Sequence, residues 1–535
     1  MAGVTAQGPV DGWRGDSADV AFDAAGMQAA LLELERPCYA LRVGGKLALA
    51  SGGELTSSDG NSDDLLLASS RPLPPGHLGD ASFRTDYGVR LAYASGSMAN
   101  GIACEELVLA MARNGLLASF GAAGLGPARI EEAIGRIKGE LPEGSFAFNL
   151  IHSPSEDALE RAGVDLYLKH GIRLVEASAY LDLTPHVVRY RVAGLGANPD
   201  GSVRRGNRLI AKVSRREVAT KFMGPPPPAI VSALLEQGLV TAEQAGIAAR
   251  VPMCDDLTVE ADSGGHTDNR PLVCLLPSML ALRDEIQAEQ AYDRPVRVGA
   301  AGGISTPASA LAALAMGAAY VVTGSVNQAC REAAASAHTK QLLAGAGMAD
   351  VMMAPAADMF EMGVKVQLLK KGTLFPMRAQ RLYELYQAYD GLEAVPVAER
   401  ERVERQLFRR GLDDVWTDTE AYFRERDPEQ IRLAGENPKR KMALVFRWYL
   451  GLSSRWSNSG EPDRQMDYQI WCGPAMGAFN DWVRGSYLEA PEARSVVDVA
   501  DQIMRGSAYL YRVNELRLQG VTLPQSLATY RPVRV

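Results

Sequence analysis

Between about Leu91 and Cys330 one pattern recurs eight times: a short apolar run followed by a longer amphipathic or alanine-rich stretch. The runs are LAYASG (91–96), LLASFG (116–121), SFAFNLIH (145–152), IRLVEASAY (172–180), RLIAKVS (208–214), LTVEADSGG (257–265), VRVGAAGG (296–303) and AYVVTGS (319–325). Their length and composition predict strands, and the stretches between them, such as PARIEEAIGRIKGE and TPASALAALAMGA, predict helices. Strands apolar on both faces and separated by helices form parallel sheets. Eight such units predict a closed (β/α)8 TIM barrel, with an open doubly wound sheet as the alternative.

The flanks have other patterns. In residues 1–85, Pro37 to Gly53 alternates like a hairpin, while SSDGNSDD (57–64) and SSRPLPPGHLGD (69–80) read as loops or linkers, predicting a small β-containing N-terminal module. The barrel is assigned to 86–345. After it, Met352 to Met377 reads as a Met-rich, glycine-punctuated lid loop. RAQRLYELYQAYDG, VAERERVERQLFRRG and MALVFRWYLGLSSRW then predict a largely helical C-terminal module, giving a third region of 346–535.

Composition narrows the class. At 535 residues the chain exceeds a usual single domain, and 47% hydrophobic with 22% charged residues is ordinary for globular proteins. A net charge of -8 argues against general nucleic-acid binding. The six scattered cysteines form no CxxC pair and have no zinc-ligand spacing, so they read as reduced thiols, with no metal expected. No signal-peptide pattern opens the chain and no apolar run of about 18 residues escapes interruption, so a cytoplasmic, non-membrane protein is expected.

Barrels of this type carry their chemistry just past the strand ends. Those positions are Ser97 to Asn100, Gly121 to Gly124, Asn149 to Ser153, Glu176 to Ser178, Lys212, Asp262 to His266, Ala301 to Ser305 and Gly324 to Asn327. The seventh and eighth loops, with Ala301, Gly302, Gly303, Gly324 and Ser325, stand where backbone N–H groups cradle a phosphate. They lack a Walker-type lysine, which suits the monophosphate of FMN, although tight turns alone would use the same residues. Ser97, Ala99 and Asn100 offer small side chains and an amide where a flat ring could lie against backbone, with Met98 as an apolar contact, although glycine turns alone would also explain this loop. Asn149 and Lys212 could hydrogen-bond a flavin's pyrimidine edge and stabilise its reduced, anionic form. A lysine at a strand end could equally snorkel to solvent. Glu176 reads as a plain solvated acid rather than a partner of Lys212. In VEADSGGHTD, Ser263, Gly264 and Gly265 let the backbone approach a flat ligand, and His266 can exchange a proton near neutral pH or serve only as a structural hydrogen-bonding group.

Taken together, SGGH (263–266), AGGI (301–304) and GS (324–325) resemble the nitronate monooxygenase and flavin-dependent enoyl-acyl-carrier-protein reductase superfamily of FMN-binding TIM barrels. Longer strings, SGSMANGIACEELV, FNLIHSPSE, VEADSGGHTDNRP, MAPAADMFEMGVKVQLLKKGTLFPMRA, NPKRKMALVFRWYLGLSSRW and DYQIWCGPAMGAFNDWV, are similar to the PfaD-type trans-acting enoyl reductases of polyketide and polyunsaturated fatty acid synthases. The resemblance implies FMN, reduction by NADPH, and an α,β-unsaturated thioester tethered by phosphopantetheine to an acyl carrier protein of a synthase complex. It implies His266 as proton donor to the α-carbon or as a contact to the thioester carbonyl. In nitronate-oxidising relatives the matching histidine is a base, so this residue does not decide the reaction. A nitronate-type flavin oxygenase and an FMN-retaining scaffold of a synthase complex stay open, as does homo-oligomerisation. Lys370, Lys371 and Arg378 could meet an acidic carrier protein or be solvated surface charges.

Overall fold

The computed structural model describes residues 12–56, 65–152 and 157–534. The loop expected over 57–64 and the stretch 153–156 lie outside the described residues.

Eight parallel strands close into a barrel: β1 (Tyr93–Ser95), β2 (Leu117–Phe120), β3 (Ala147–Ile151), β4 (Leu174–Ser178), β5 (Arg208–Val213), β6 (Asp256–Glu260), β7 (Arg297–Ala301) and β8 (Val321–Thr323). Closure comes from β8 pairing with β1, Val321 opposite Tyr93 and Thr323 opposite Ser95. All eight expected strands are present, and the open sheet is excluded. Helices follow the strands, from Glu105–Arg113 after β1 to Pro307–Ala315 after β7. Outward side chains such as Phe148 and Leu150 are fully or almost fully buried against them.

One strand ends early. The sixth apolar run was expected to continue to Gly265, but β6 stops at Glu260, and Gly265–His266 forms its own short strand outside the barrel. That strand pairs antiparallel with a second strand of the segment expected as a lid loop. The segment holds β9 (Val351–Pro355) and β10 (Lys365–Leu369), which pair antiparallel, with His266 opposite Val366 and Gly265 opposite Gln367. The loop-like parts are the connection between β9 and β10, which carries a short 3-10 turn at Phe360–Met362, and residues 370–374 before the helix Phe375–Ala388.

At the N-terminal side, Cys38–Val43 and Lys46–Ser51 form the expected hairpin, turned by Gly44 and Gly45, both at positive φ. They lie in a four-stranded antiparallel sheet with Val20–Ala21 and Leu65–Ser70. This sheet and the helix Ala24–Leu32 share a core with a C-terminal helix, α2 (Val496–Leu518), built from Leu49 and Ala68 of the sheet, Leu31 of the short helix, and Tyr509, Val513 and Leu516 of α2. From the same helix the buried guanidinium of Arg512 donates to the carbonyls of Leu31, Glu33, Leu34, Arg36 and Arg71. A helical core forms separately around α1 (Pro438–Ser459), where Phe446 and Tyr449 meet Phe375 and Phe408. All six cysteines are free thiols, five buried and Cys274 exposed. Among the described residues no helix is long and apolar enough to cross a membrane.

Candidate active site

The barrel mouth gathers charge on three adjacent strands. Glu176 on β4, Lys212 on β5 and Glu260 on β6 meet, with Lys212 Nζ 3.4 Å from Glu260 Oε1 and 3.8 Å from Glu176 Oε1. Glu176 is not the solvated acid expected: its side chain is only 8% exposed. It accepts a 2.5 Å hydrogen bond from Ser97 Oγ, whose loop crosses from β1 to reach it. Loss of hydration disfavours the charge on Lys212, but Glu260 and Glu176 outweigh that and hold its pKa above the ordinary lysine value. Lys212 therefore does not snorkel outward; it is an ammonium clamped between two carboxylates at the top of the barrel. Asn149 is buried beside it, and its Nδ2 donates to the Glu176 carbonyl at 3.0 Å and to Ser178 Oγ at 2.9 Å.

The seventh and eighth loops meet at the next part of the rim. Gly302 has positive φ, and a Cβ there would lie 2.6 Å from the Ala261 backbone, so only glycine lets this loop pass so close to the end of β6. Ala301 ends β7 buried, its carbonyl accepting from Ala261 N–H. A Cβ on Gly303 or Gly324 would meet nothing within 4 Å. Among the described residues no group accepts from the N–H of either, and the hydroxyl of buried Ser305, two residues after Gly303, is also without a partner. Open space lined by backbone and hydroxyl donors fits a phosphate.

Ser325 Oγ instead accepts from Gly473 N–H at 3.1 Å. The 471–474 loop, Trp-Cys-Gly-Pro, thus reaches from the C-terminal region to the barrel rim. Gly264 lies against it so closely that a Cβ would sit 2.8 Å from Cys472 N. The first loop also meets the C-terminal region: Asn100, at positive φ, donates through Nδ2 to Ser454 Oγ on α1 at 2.5 Å. Met98 lies half-buried against the main core, its carbonyl and that of Ala99 turning the chain by accepting from Ala103 and Ile102.

His266 stands beside this cluster, about a third exposed, with Nε2 3.2 Å from the carboxylate of Asp358 in the β9–β10 connection. Burial works against a charge on the imidazole, yet Asp358, through its charge and its hydrogen bond, and Glu260 beyond it raise the pKa above the ordinary histidine value, with Lys212 opposing. Burial likewise works against the charge on Asp358, but His266 and then Arg447 on α1 hold its carboxyl below the usual range. Gln367 on β10 fastens the loop that presents His266, its Nε2 donating to Asp262 Oδ1 and to the Ser263 carbonyl, both at 2.7 Å. Ser263 Oγ donates to Glu260 at 3.2 Å.

The structure thus brings Ser97, Lys212, Ser263 and His266 into one polar cluster, with Gly264, Gly265, Gly302, Gly303, Gly324 and Ser325 along its rim. Asn149 is fastened within the barrel and Asn100 against α1. Sequence reasoning missed Glu260, Asp358, Gln367 and the 471–474 loop. Glu260 ends a strand just as Glu176 does and was legible on that ground; the other three come from outside the barrel repeat.

Comparison with known proteins gives a consistent picture. Residues 93–387 match nitronate monooxygenase, residues 13–72 the N-terminal domain of the fatty acid synthase subunit PfaD, and residues 389–468 the inserted helical domain of [acyl-carrier-protein] S-malonyltransferase. A polyunsaturated fatty acid synthase subunit of Thraustochytrium sp. is 51% identical over 454 residues, covering 84% of this chain and 30% of the relative. Polyketide biosynthesis protein PksE of Bacillus subtilis is 44% identical over 434 residues, covering 81% of this chain and 56% of the relative. The chain therefore spans only part of the length of these two curated relatives, from under a third to a little over half. Among solved structures, the enoyl reductase domain of MlnA from the macrolactin biosynthesis cluster of Bacillus amyloliquefaciens is 39% identical, with a TM-score of 0.78, covering 82% of this chain and 100% of that one.

Proposed function

The chain belongs to the nitronate monooxygenase family, and on that footing we propose that it is an FMN- and NADPH-dependent enoyl reductase. It acts in trans on α,β-unsaturated thioesters held by an acyl carrier protein in polyketide or polyunsaturated fatty acid biosynthesis. The observation that carries this reading is a barrel mouth that presents both a carboxylate-bound imidazole, His266 after the sixth strand, and two glycine loops with free donors that fit a phosphate, after the seventh and eighth. The likeness to the MlnA enoyl reductase domain over its whole length supports the choice of substrate.

In this reading Gly302, Gly303, Gly324 and Ser325 hold the FMN phosphate, and Ala301 fixes the start of that loop. Ser97 to Asn100 and Ser263 to Gly265 bring backbone to the ring, while Asn149 shapes the wall beneath. When bound and reduced by NADPH, FMN supplies the hydride that goes to the substrate β-carbon. Lys212, kept charged by Glu176 and Glu260, stabilises negative charge at the mouth. His266 gives a proton to the α-carbon as the β-carbon gains hydride, so the thioester leaves saturated. Glu176, anchored by Ser97, keeps Lys212 from leaving this position.

Anaerobic stopped-flow tests the proposal. NADPH is expected to bleach the flavin of the holoenzyme, and a carrier-bound enoyl thioester to restore its colour. A flavin that stays bleached with the enoyl thioester but turns over a nitronate with oxygen would overturn it in favour of an oxygenase.

A further inference from the structure

We propose that Asp358, supplied by the β9–β10 hairpin after the barrel, is a positioning residue that holds His266 as a proton-donating imidazolium with Nδ1 facing the substrate. The inference rests on the enoyl-reductase reading and concerns how its acid is made.

Two separate constraints fix the pair. The backbone of His266 is a strand paired with β10, and Gln367 on the same strand ties down Asp262 and Ser263, the residues leading into the glycines. Asp358 lies in the connection leaving β9, where its Oδ1 also receives the Met359 N–H at 3.1 Å. A histidine with one nitrogen bonded to a carboxylate keeps a proton there, which decides what the other nitrogen can do. Here Nε2 is committed to Asp358, and among the described residues no group engages Nδ1.

The charges facing His266 come from every element around it. Asp358 on the hairpin and Glu260 on β6 favour the imidazolium, and Lys212 on β5 opposes it. Lys212 is itself occupied by Glu260 and Glu176, and Arg447 on α1, which faces Asp358, lies 3.6 Å from Glu361. Asp358 is the charge in direct contact, so its removal should have the largest effect.

The step then balances. The Nδ1–H bond breaks with its electron pair left on nitrogen, and the proton forms the new C–H bond at the α-carbon. The electron pair for that bond comes from the enolate created when the β-carbon accepts hydride. Water returns a proton to the imidazole, and Asp358 makes that return favourable near neutral pH. Without Asp358 the imidazolium would lose its contact partner, and only Glu260 would still favour the charged form.

The test uses holoenzyme labelled with 13Cε1-histidine, the His266 resonance being assigned by its loss in His266→Gln. Its titration is followed by NMR, and kcat is measured across pH with a short enoyl-pantetheine thioester. Asp358→Asn is expected to lower the His266 titration by about 1 pH unit or more. The high-pH limb of kcat should move down with it, because an acid is lost as pH rises through its pKa. Asp358→Glu, which keeps the charge, should return both toward wild type. An unmoved His266 titration in Asp358→Asn overturns the inference and leaves the enoyl-reductase reading intact. A wild-type holoenzyme that never reduces the thioester overturns both.

Discussion

Buried charge is handled in opposite ways at the two ends of the barrel. At the floor, where strands begin, Arg297 grips Asp256 with two hydrogen bonds of 2.6 and 3.0 Å and reaches Asp86 at 2.6 Å. Beside it Arg191, wholly buried, holds Asp255 at 2.7 and 3.1 Å and the carbonyls of Pro252 and Asn207. These are planar forks with their donors satisfied. At the mouth a lysine replaces the arginine, its contacts are 3.4 and 3.8 Å, and His266 keeps one nitrogen uncommitted. Strand β6 carries both regimes within five residues, beginning at Asp256 and ending at Glu260. At the floor every side-chain nitrogen of these two arginines is spent on a fixed partner, whereas the mouth keeps donors beyond those its ion pairs use, as expected for the stabilising and reactive faces of such a barrel.

Breaking the floor should have the largest effect. Arg297→Ala strands Asp256 in the interior and is expected to cost about 3–5 kcal/mol, read from urea unfolding. A loss below about 1 kcal/mol would mean that the floor is no more rigid than the mouth. Lys212→Met should unfold closer to wild type, since Glu176 keeps its hydrogen bond from Ser97 and Glu260 its hydrogen bond from Ser263, but slow flavin reduction by NADPH on the order of 100-fold in stopped-flow. Unchanged reduction would remove Lys212 from the chemistry.

Two glycines at the mouth separate packing from binding. Gly264→Ala drives a methyl into the Cys472 backbone and should cost about 1–3 kcal/mol of stability. Gly324→Ala meets open space at ordinary φ, so stability should hold while FMN affinity falls about tenfold by fluorescence titration. Equal affinity would place the phosphate elsewhere. The smallest effect concerns Asp268, whose pKa a hydrogen bond from Arg215 holds down to about 2 against partial burial. The stabilisation exists above the unfolded value near 3.8 and fades as pH falls toward 2. Arg215→Ala should therefore lose a few tenths of a kcal/mol at about pH 5, with the gap closing by about pH 2 in acid unfolding.

The barrel was readable because strands buried on both faces leave continuous apolar runs, and because glycines recur where loops must pass close to other backbone. Lys212 and His266 were readable as polar residues ending such runs. Asp358 was not: it lies 92 positions from His266, on a connection between two short strands that are partly exposed and carry no clean alternation. Glu176 was misread because a glutamate at a strand end looks the same whether it meets water or a serine folded across from β1. The 471–474 loop was visible as a string, yet its insertion beside Gly264 and Ser325 is a matter of tertiary packing that periodicity does not encode.

The clasp made by Arg512 bears on the order in which this protein can be made. Its five carbonyl partners lie between 441 and 481 positions earlier in the chain. During synthesis the N-terminal sheet emerges long before the helix that covers its apolar face, and closing so long a loop is entropically slow. The sheet and the helix Ala24–Leu32 beside it therefore wait with part of their shared apolar surface, Leu31 and Ala68 included, uncovered until the Val496–Leu518 helix is made.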